Sequence, residues 1–181
     1  MLSPAHYKNV IDLCQSSKEV ADLSGHVIQG AIDAARVFDS AGYYPVHFTI
    51  PEFIGPETYA KYGNNALWFM DSRILWTIDA TREYFNVPMT VNTWKQGGQY
   101  QERGLRLSSS DTGADMSQHK FGRAIDFDLA GMTADVVRAE IKKNYKTEPA
   151  FRFITALEEN VSWVHIDCRN TNMSDLLLFT K

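Results

Sequence analysis

Two short stretches restrict what this chain can fold into more than any other feature, because each alternates apolar and polar side chains with a period of two. Residues 124 to 130 put Ile125, Phe127 and Leu129 on one side of an extended backbone and Asp126 and Asp128 on the other. Residues 163 to 168 repeat the pattern: Val164, Ile166 and Cys168 fall on one face, and Trp163, His165 and Asp167 on its opposite. Such alternation marks strands with one covered face. Both strands therefore turn an apolar face to a core and raise acids and a histidine on the other side. The fold class expected is α+β: a small antiparallel sheet carrying the polar groups, with helices packed on its other face.

The remaining sequence supplies those helices. Residues 1 to 40 space apolar side chains such as Leu13, Val20, Val27 and Ile28 by threes and fours, which predicts helix. Pro45, Pro51, Gly55 and Pro56 then punctuate an extended, broken stretch. Residues 1 to 60 are accordingly read as an N-terminal helical element and loop, and residues 61 to 181 as the domain that carries the chemistry. A second helical pattern over residues 65 to 85 uses Leu67, Met70, Ile74, Leu75 and Ile78, with Trp68 and Trp76 read as core. Asn86-Val87-Pro88 ends it, since the residue before a proline is pushed out of the helical region. Residues 89 to 91 read as a short strand, and residues 94 to 112, with Gly97, Gly98 and Gly104, as loop. Thr133 caps a further helix to about Tyr145, with Met132 and Val137 placed as a hydrophobic staple.

Composition removes several function classes. With 181 residues, 44% of them hydrophobic, there is material for one core, or one core and an appendage. The net charge of −4, with no run of like charge longer than a pair such as Lys142-Lys143, lacks the basic face that nucleic-acid binding requires. No stretch approaches the roughly 20 apolar residues of a membrane span. The N-terminus has no basic start leading into an apolar run, so no secretory signal is read and the product is expected in the cytoplasm. Cys14 and Cys168 lie far apart and outside any Cys-x-x-Cys pattern, and are read as free thiols.

The chemistry concentrates in Ser117-Gln118-His119-Lys120-Phe121-Gly122-Arg123-Ala124-Ile125-Asp126. A histidine in a loop, a glycine turn and an aspartate on the following strand let two metal-binding side chains converge. Zinc accepts this mixture of imidazole nitrogen and carboxylate oxygen at about 2.0–2.2 Å. His165 is the only later histidine and stands on the polar face of the second strand, which makes it the third ligand by elimination and by face. Three protein ligands would leave a fourth position for water. His6, His26 and His47 are read as outside the site.

The pattern Ser-x-His-x-x-Gly-x-Ala-x-Asp, followed by Trp163-Val164-His165-Ile166-Asp167, resembles the zinc D-Ala-D-Ala carboxypeptidases and the phage L-alanyl-D-glutamate endolysins, which share a fold with the hedgehog signalling domain. The resemblance runs over about residues 66 to 181. It implies a zinc metallopeptidase with His119, Asp126 and His165 as ligands, acting on peptidoglycan peptides. It further implies an arginine in the loop before the motif that holds the substrate carboxylate; Arg106 is the first candidate and Arg103 the second. A wall substrate without a secretory signal points to a phage or prophage lysin, with virion or lysis-system proteins as the partners that deliver it.

The catalytic base is where the sequence departs from those relatives. Many of them carry an acidic residue three positions before the last histidine, where this chain has Ser162. Hydrolysis still needs a group to take a proton from water. Glu159, at the interval found in the hedgehog fold, is preferred. Glu158 follows if residues 151–158 and 161–168 form a hairpin turning at Glu159-Asn160, and Asp167 is third, with orientation of a ligand histidine as its other role. Ser162 also keeps open a non-catalytic, zinc-containing binding or virion-structural protein on the same fold.

Overall fold

A computed structural model describes residues 43–180. The helix expected over residues 1 to 40, with His6, His26 and Cys14, lies outside the described residues. Among the described residues there are three helices: α1 (Pro56–Tyr62), α2 (Ser72–Phe85) and α3 (Ala134–Asn144). Five strands, β1 (Met89–Thr90), β2 (Ala124–Leu129), β3 (Ala156–Glu158), β4 (Val164–Asp167) and β5 (Leu177–Phe179), form one sheet in the order β1-β2-β4-β3-β5. The class is α+β, as the alternation implies. The sheet is mixed, however: β1–β2, β2–β4 and β3–β4 pair antiparallel, while β5 runs parallel to β3. It does so because β5 starts at the end of the sheet where β4 finishes but lands beyond β3.

Both alternating stretches bury their apolar faces. Ile125 and Phe127 of β2, Val164 and Ile166 of β4, Ile74, Leu75 and Ile78 of α2, and Val137 and Ile141 of α3 all belong to one core, with α2 packed against β2 and α3 against β4. Each such side chain contributes about 1.5–3 kcal/mol on burial. A one-residue slip of either strand would forfeit several of these at once, so register is strongly specified.

The helix expected over residues 65 to 85 is in fact two pieces. A 3₁₀ run, Gly63–Phe69, precedes α2, and Asp71 separates them by accepting the Arg73 amide at 2.9 Å as N-cap. Its carboxylate also takes the Arg73 guanidinium, with Nη2 at 2.7 Å. Asn86 closes α2 in the left-handed region, φ 50, before Val87-Pro88. The break changes the phase of what comes before it. Trp76 is buried as expected, but Trp68 is 77% exposed and is not core.

The proline-rich stretch is wound into the molecule. Pro51 sits in a 3₁₀ turn, Pro56 opens α1 at a position where its missing N–H costs nothing, and Tyr43, Phe48, Ile50, Phe53 and Ile54 belong to the same core as the sheet. Fully buried Asp79 of α2 moors the segment by accepting from the Tyr43 hydroxyl at 2.7 Å, the Val46 amide at 2.7 Å and the His47 amide at 3.1 Å. The described part of the 1 to 60 element thus shares its core with the region that follows. No helix among the described residues is long and apolar enough to cross a membrane.

Candidate metal centre

The β2–β4 register sets Asp126 directly opposite His165. His119 arrives from the 3₁₀ turn Gln118–Phe121, which Gly122 ends with φ 65. Gly122 is required twice over. Its backbone is left-handed, and a Cβ there would lie 1.9 Å from the Phe69 carbonyl oxygen. The Gly122 carbonyl accepts the Asp71 amide at 2.9 Å, and its own amide donates to the His119 carbonyl at 3.2 Å. The turn is thereby held against the start of α2 and points the His119 imidazole at the sheet.

Three ligand-type atoms converge. His119 Nε2 lies 3.2 Å from Asp126 Oδ1 and 3.1 Å from His165 Nδ1, and His165 Nδ1 lies 2.7 Å from the same Oδ1. The outer nitrogen of each ring faces an acceptor. His119 Nδ1 is 2.8 Å from the Gly104 carbonyl, and His165 Nε2 is 3.2 Å from Asp167 Oδ2. Each outer nitrogen therefore carries the proton and donates it, which leaves two imidazole lone pairs and a carboxylate oxygen facing one another. Acceptors held so close repel unless a cation sits among them.

His165 is raised to about 9: burial works against its charge, but the hydrogen bonds to Asp126 and Asp167 outweigh it. Burial holds His119 below the ordinary imidazole value despite Asp126. Asp126 stays below the carboxylate range because the two histidines overcome its burial. The same three residues form a buried group that could hold a metal ion, with all ligand atoms within 4.8 Å of one another. Two imidazole nitrogens and a carboxylate oxygen, each fixed by an outer hydrogen bond, are a donor set that suits a divalent transition metal.

A cavity of about 390 Å³ opens over this group. Arg106, Glu158, Trp163, Arg169 and Phe179 stand in its wall. The β3–β4 register pairs Leu157 with Ile166, which brings Glu158 beside His165. Glu158 is buried, and its Oε2 comes within 4.0 Å of His165 Nδ1; among the described residues no hydrogen bond engages its carboxylate. Glu159, the base preferred from spacing, turns the other way and pairs with Lys142 of α3 at 2.6 Å. Asp167 is wholly buried behind His165, where Arg169 also binds it.

The two loop arginines part company. Arg106 reaches the cavity, but its Nη2 lies 2.8 Å from Asp126 Oδ2 and its Nε donates to the Glu102 carbonyl at 2.7 Å. Arg103 lies outside the cavity wall, paired with Asp128 and stacked 3.6 Å above the Tyr100 ring. Buried Arg138 of α3 donates to the carbonyls of Trp163 at 2.8 Å and Val161 at 2.9 Å, clamping the loop that presents the Trp163 indole. His47 stays with Asp79 and Glu83, away from the site. Buried Cys168 is a free thiol, its pKa pushed up to about 12 by burial above all.

Sequence reasoning missed Arg169 and Phe179. The run Leu176-Leu177-Leu178-Phe179 was the available signal for β5 and hence for Phe179, whereas no pattern singled out Arg169. Compared with models of protein families, with curated proteins and with solved structures, the chain gives no match.

Proposed function

We propose that this protein is a zinc-dependent peptidase that hydrolyses short peptidoglycan peptides, of the D-Ala-D-Ala carboxypeptidase or L-Ala-D-Glu endopeptidase type. The observation that carries the reading is the convergence of His119 Nε2, Asp126 Oδ1 and His165 Nδ1 at a cavity whose wall holds the buried Glu158 carboxylate, within 4.0 Å of His165. The ten-residue pattern from Ser117 to Asp126 supports the substrate class by its resemblance to the zinc peptidases and their hedgehog-like fold.

His119, Asp126 and His165 would hold the metal. When bound, zinc polarises a carbonyl and makes water a nucleophile near neutral pH. Glu158 takes one proton from the water that attacks the scissile carbonyl carbon. As the C–N bond breaks, Glu158 returns that proton to the leaving amine, so hydroxyl and hydrogen of one water end on the two products. Arg106 fixes Asp126 through Oδ2, leaving Oδ1 for the metal. Asp167 keeps His165 in the tautomer that presents Nδ1. Trp163 and Phe179 give the cavity apolar walls beside these charges. A phage or prophage lysin acting with virion or lysis-system proteins is the setting we infer.

The test is hydrolysis of purified peptidoglycan peptides by metal-loaded protein, followed by mass spectrometry of products. Cleavage between a D-Ala pair, or between L-Ala and D-Glu, would support the reading. A protein that binds zinc yet cuts neither would instead be a non-catalytic binding or virion-structural protein.

A further inference from the structure

The cavity holds two guanidinium groups, and they differ in what is left for a ligand. Arg106 is deep, its side chain 11% exposed, with Nη2 on Asp126 and Nε on the Glu102 carbonyl. Arg169, just past β4, is 28% exposed. Its Nε lies 2.9 Å from both Asp167 oxygens and its Nη2 binds Oδ2, so one edge of the fork is anchored. Among the described residues no hydrogen bond engages its Nη1. The plane is held from below by Phe179, whose ring centroid is 4.6 Å from Arg169 Cζ. A guanidinium fixed by a buried carboxylate on one edge and an aromatic ring on one face has lost little freedom still to be lost on binding, which favours recognition of an anion.

Phe179 also locates this group relative to the chemistry. In the parallel β3–β5 pairing Phe179 is the partner of Glu158, and its ring meets the His165 ring edge-on at 5.6 Å. Glu158, His165 and Arg169 therefore surround one aromatic residue on β5, whereas Arg106 binds Asp126 on β2, with β4 and β3 lying between those two strands. If Glu158 hands its proton to the leaving amine, the residue that carries this amine lies on the Phe179 side.

We infer that Arg169 is a specificity-determining residue that binds the free carboxylate of the substrate residue on the leaving-amine side, so that the protein selects peptides carrying that carboxylate over the same peptides amidated there. This rests on the peptidase reading for which residue bears the carboxylate. Both candidate bonds satisfy it, because terminal D-Ala and the D-Glu of an L-Ala-D-Glu link each have an α-carboxylate next to the departing nitrogen. The Arg169 site thus adds a chemical filter that the metal centre by itself does not provide.

The experiment measures binding and cleavage separately. Zinc-loaded Glu158→Gln protein, to slow turnover, is titrated calorimetrically with N-acetyl-D-Ala-D-Ala and with L-Ala-γ-D-Glu, each as the free acid and as the α-amide. The acid of at least one peptide should bind about 10- to 100-fold more tightly than its amide, a difference typical of a charge-assisted pair. Adding Arg169→Gln should erase that preference with bound zinc unchanged by mass spectrometry. Arg169→Lys, which keeps a charge on Asp167, should retain part of it and covers the case in which the glutamine variant loses metal. Equal binding of acid and amide, no binding of either acid, or a preference that survives in both Arg169 variants would overturn the inference. Cleavage by wild type is scored apart from this. Turnover without acid selectivity refutes the Arg169 role alone, and acid selectivity without turnover refutes the peptidase reading alone.

Discussion

Asp167 Oδ2 stands 3.2 Å from His165 Nε2, and this hydrogen bond decides which nitrogen of His165 is available to a metal. With Nε2 committed as donor, Nδ1 keeps its lone pair 2.7 Å from Asp126 Oδ1. Asp167→Asn should lower zinc affinity about 10- to 100-fold, in the range usual for loss of a residue that orients a ligand histidine. Competition with a chelating dye measures it. An unchanged affinity would show that the ring is oriented by packing alone.

Metal content is the most direct check on the site. Purified under conditions free of chelators, the protein should carry about one zinc per chain by mass spectrometry, as expected of one three-ligand site. His119→Ala and His165→Ala should each lose it, since either leaves only two ligands. Chelation should lower the melting temperature of wild type, because ligand binding to the native state alone stabilises it. A melting temperature indifferent to chelator would count against a site preformed in the fold.

The two neighbouring glutamates should separate cleanly. Glu158→Gln should reduce kcat by about 10²- to 10⁴-fold, the usual contribution of a positioned base, with zinc content intact. Glu159→Gln removes only a half-exposed pair with Lys142. It should leave turnover near wild type and cost less than about 1 kcal/mol of stability. The reverse ranking would return the role of base to Glu159.

Asp71, which is not itself one of the ligand-type residues, offers a pH prediction. Burial would raise its carboxyl, but the side-chain and backbone hydrogen bonds from Arg73, with the Arg73 and Arg123 charges, hold it below the ordinary carboxylate value. A group whose folded value is depressed stabilises the fold above its unfolded value and loses that contribution as pH falls through the folded one. Asp71→Ala should therefore cost about 1–2 kcal/mol near neutral pH in urea melts, and the gap to wild type should narrow at about pH 2. A gap constant over that range would mean the charge contributes nothing beyond the cap.

Gly122 and Gly131 form a controlled comparison. Both have positive φ, 65 and 74, but a Cβ at 131 meets nothing within 4 Å while one at 122 would collide with the Phe69 carbonyl. Gly131→Ala should cost only the left-handed strain, about 1–2 kcal/mol. Gly122→Ala should cost more and also weaken zinc binding, because the turn that must shift carries His119. Equal costs by thermal and urea melts would show that the close approach relaxes freely.

The three ligand-type residues were legible because alternation is a local property. Ile125, Phe127 and Leu129 on one face of β2 force Asp126 to the other, whatever the rest of the chain does, and Val164 and Ile166 do the same for His165. The choice between Glu158 and Glu159 was harder, since it depends on how a loop closes. A turn at Glu159-Asn160 would set Glu158 against Val161, but the observed register slides the strands by four residues and brings Glu158 beside His165. An even slip keeps every side chain on its own face, so the face expected for Glu158 survives, and so does the hairpin, although a longer loop replaces the two-residue turn. Arg169 and Phe179 were hidden for a different reason. β5 spans only Leu177–Phe179 and joins the sheet parallel and out of sequence order, which no short-range periodicity reports. Trp68 was misplaced because a cap at Asp71 interrupts the helical phase.

The bond between the Gly122 carbonyl and the Asp71 amide makes one short peptide belong at once to the ligand turn and to the entry of α2. The chain between Gly122 and Asp126 is consequently a spacer of fixed length, clamped to a helix at one end and to strand pairing at the other. An insertion or deletion of one residue there could not be absorbed by slack; it would turn β2 over, sending Asp126 into the hydrocarbon interior and Phe127 or Ile125 out toward the cavity. Substitutions along this spacer can be graded, but changes in its length are all-or-none.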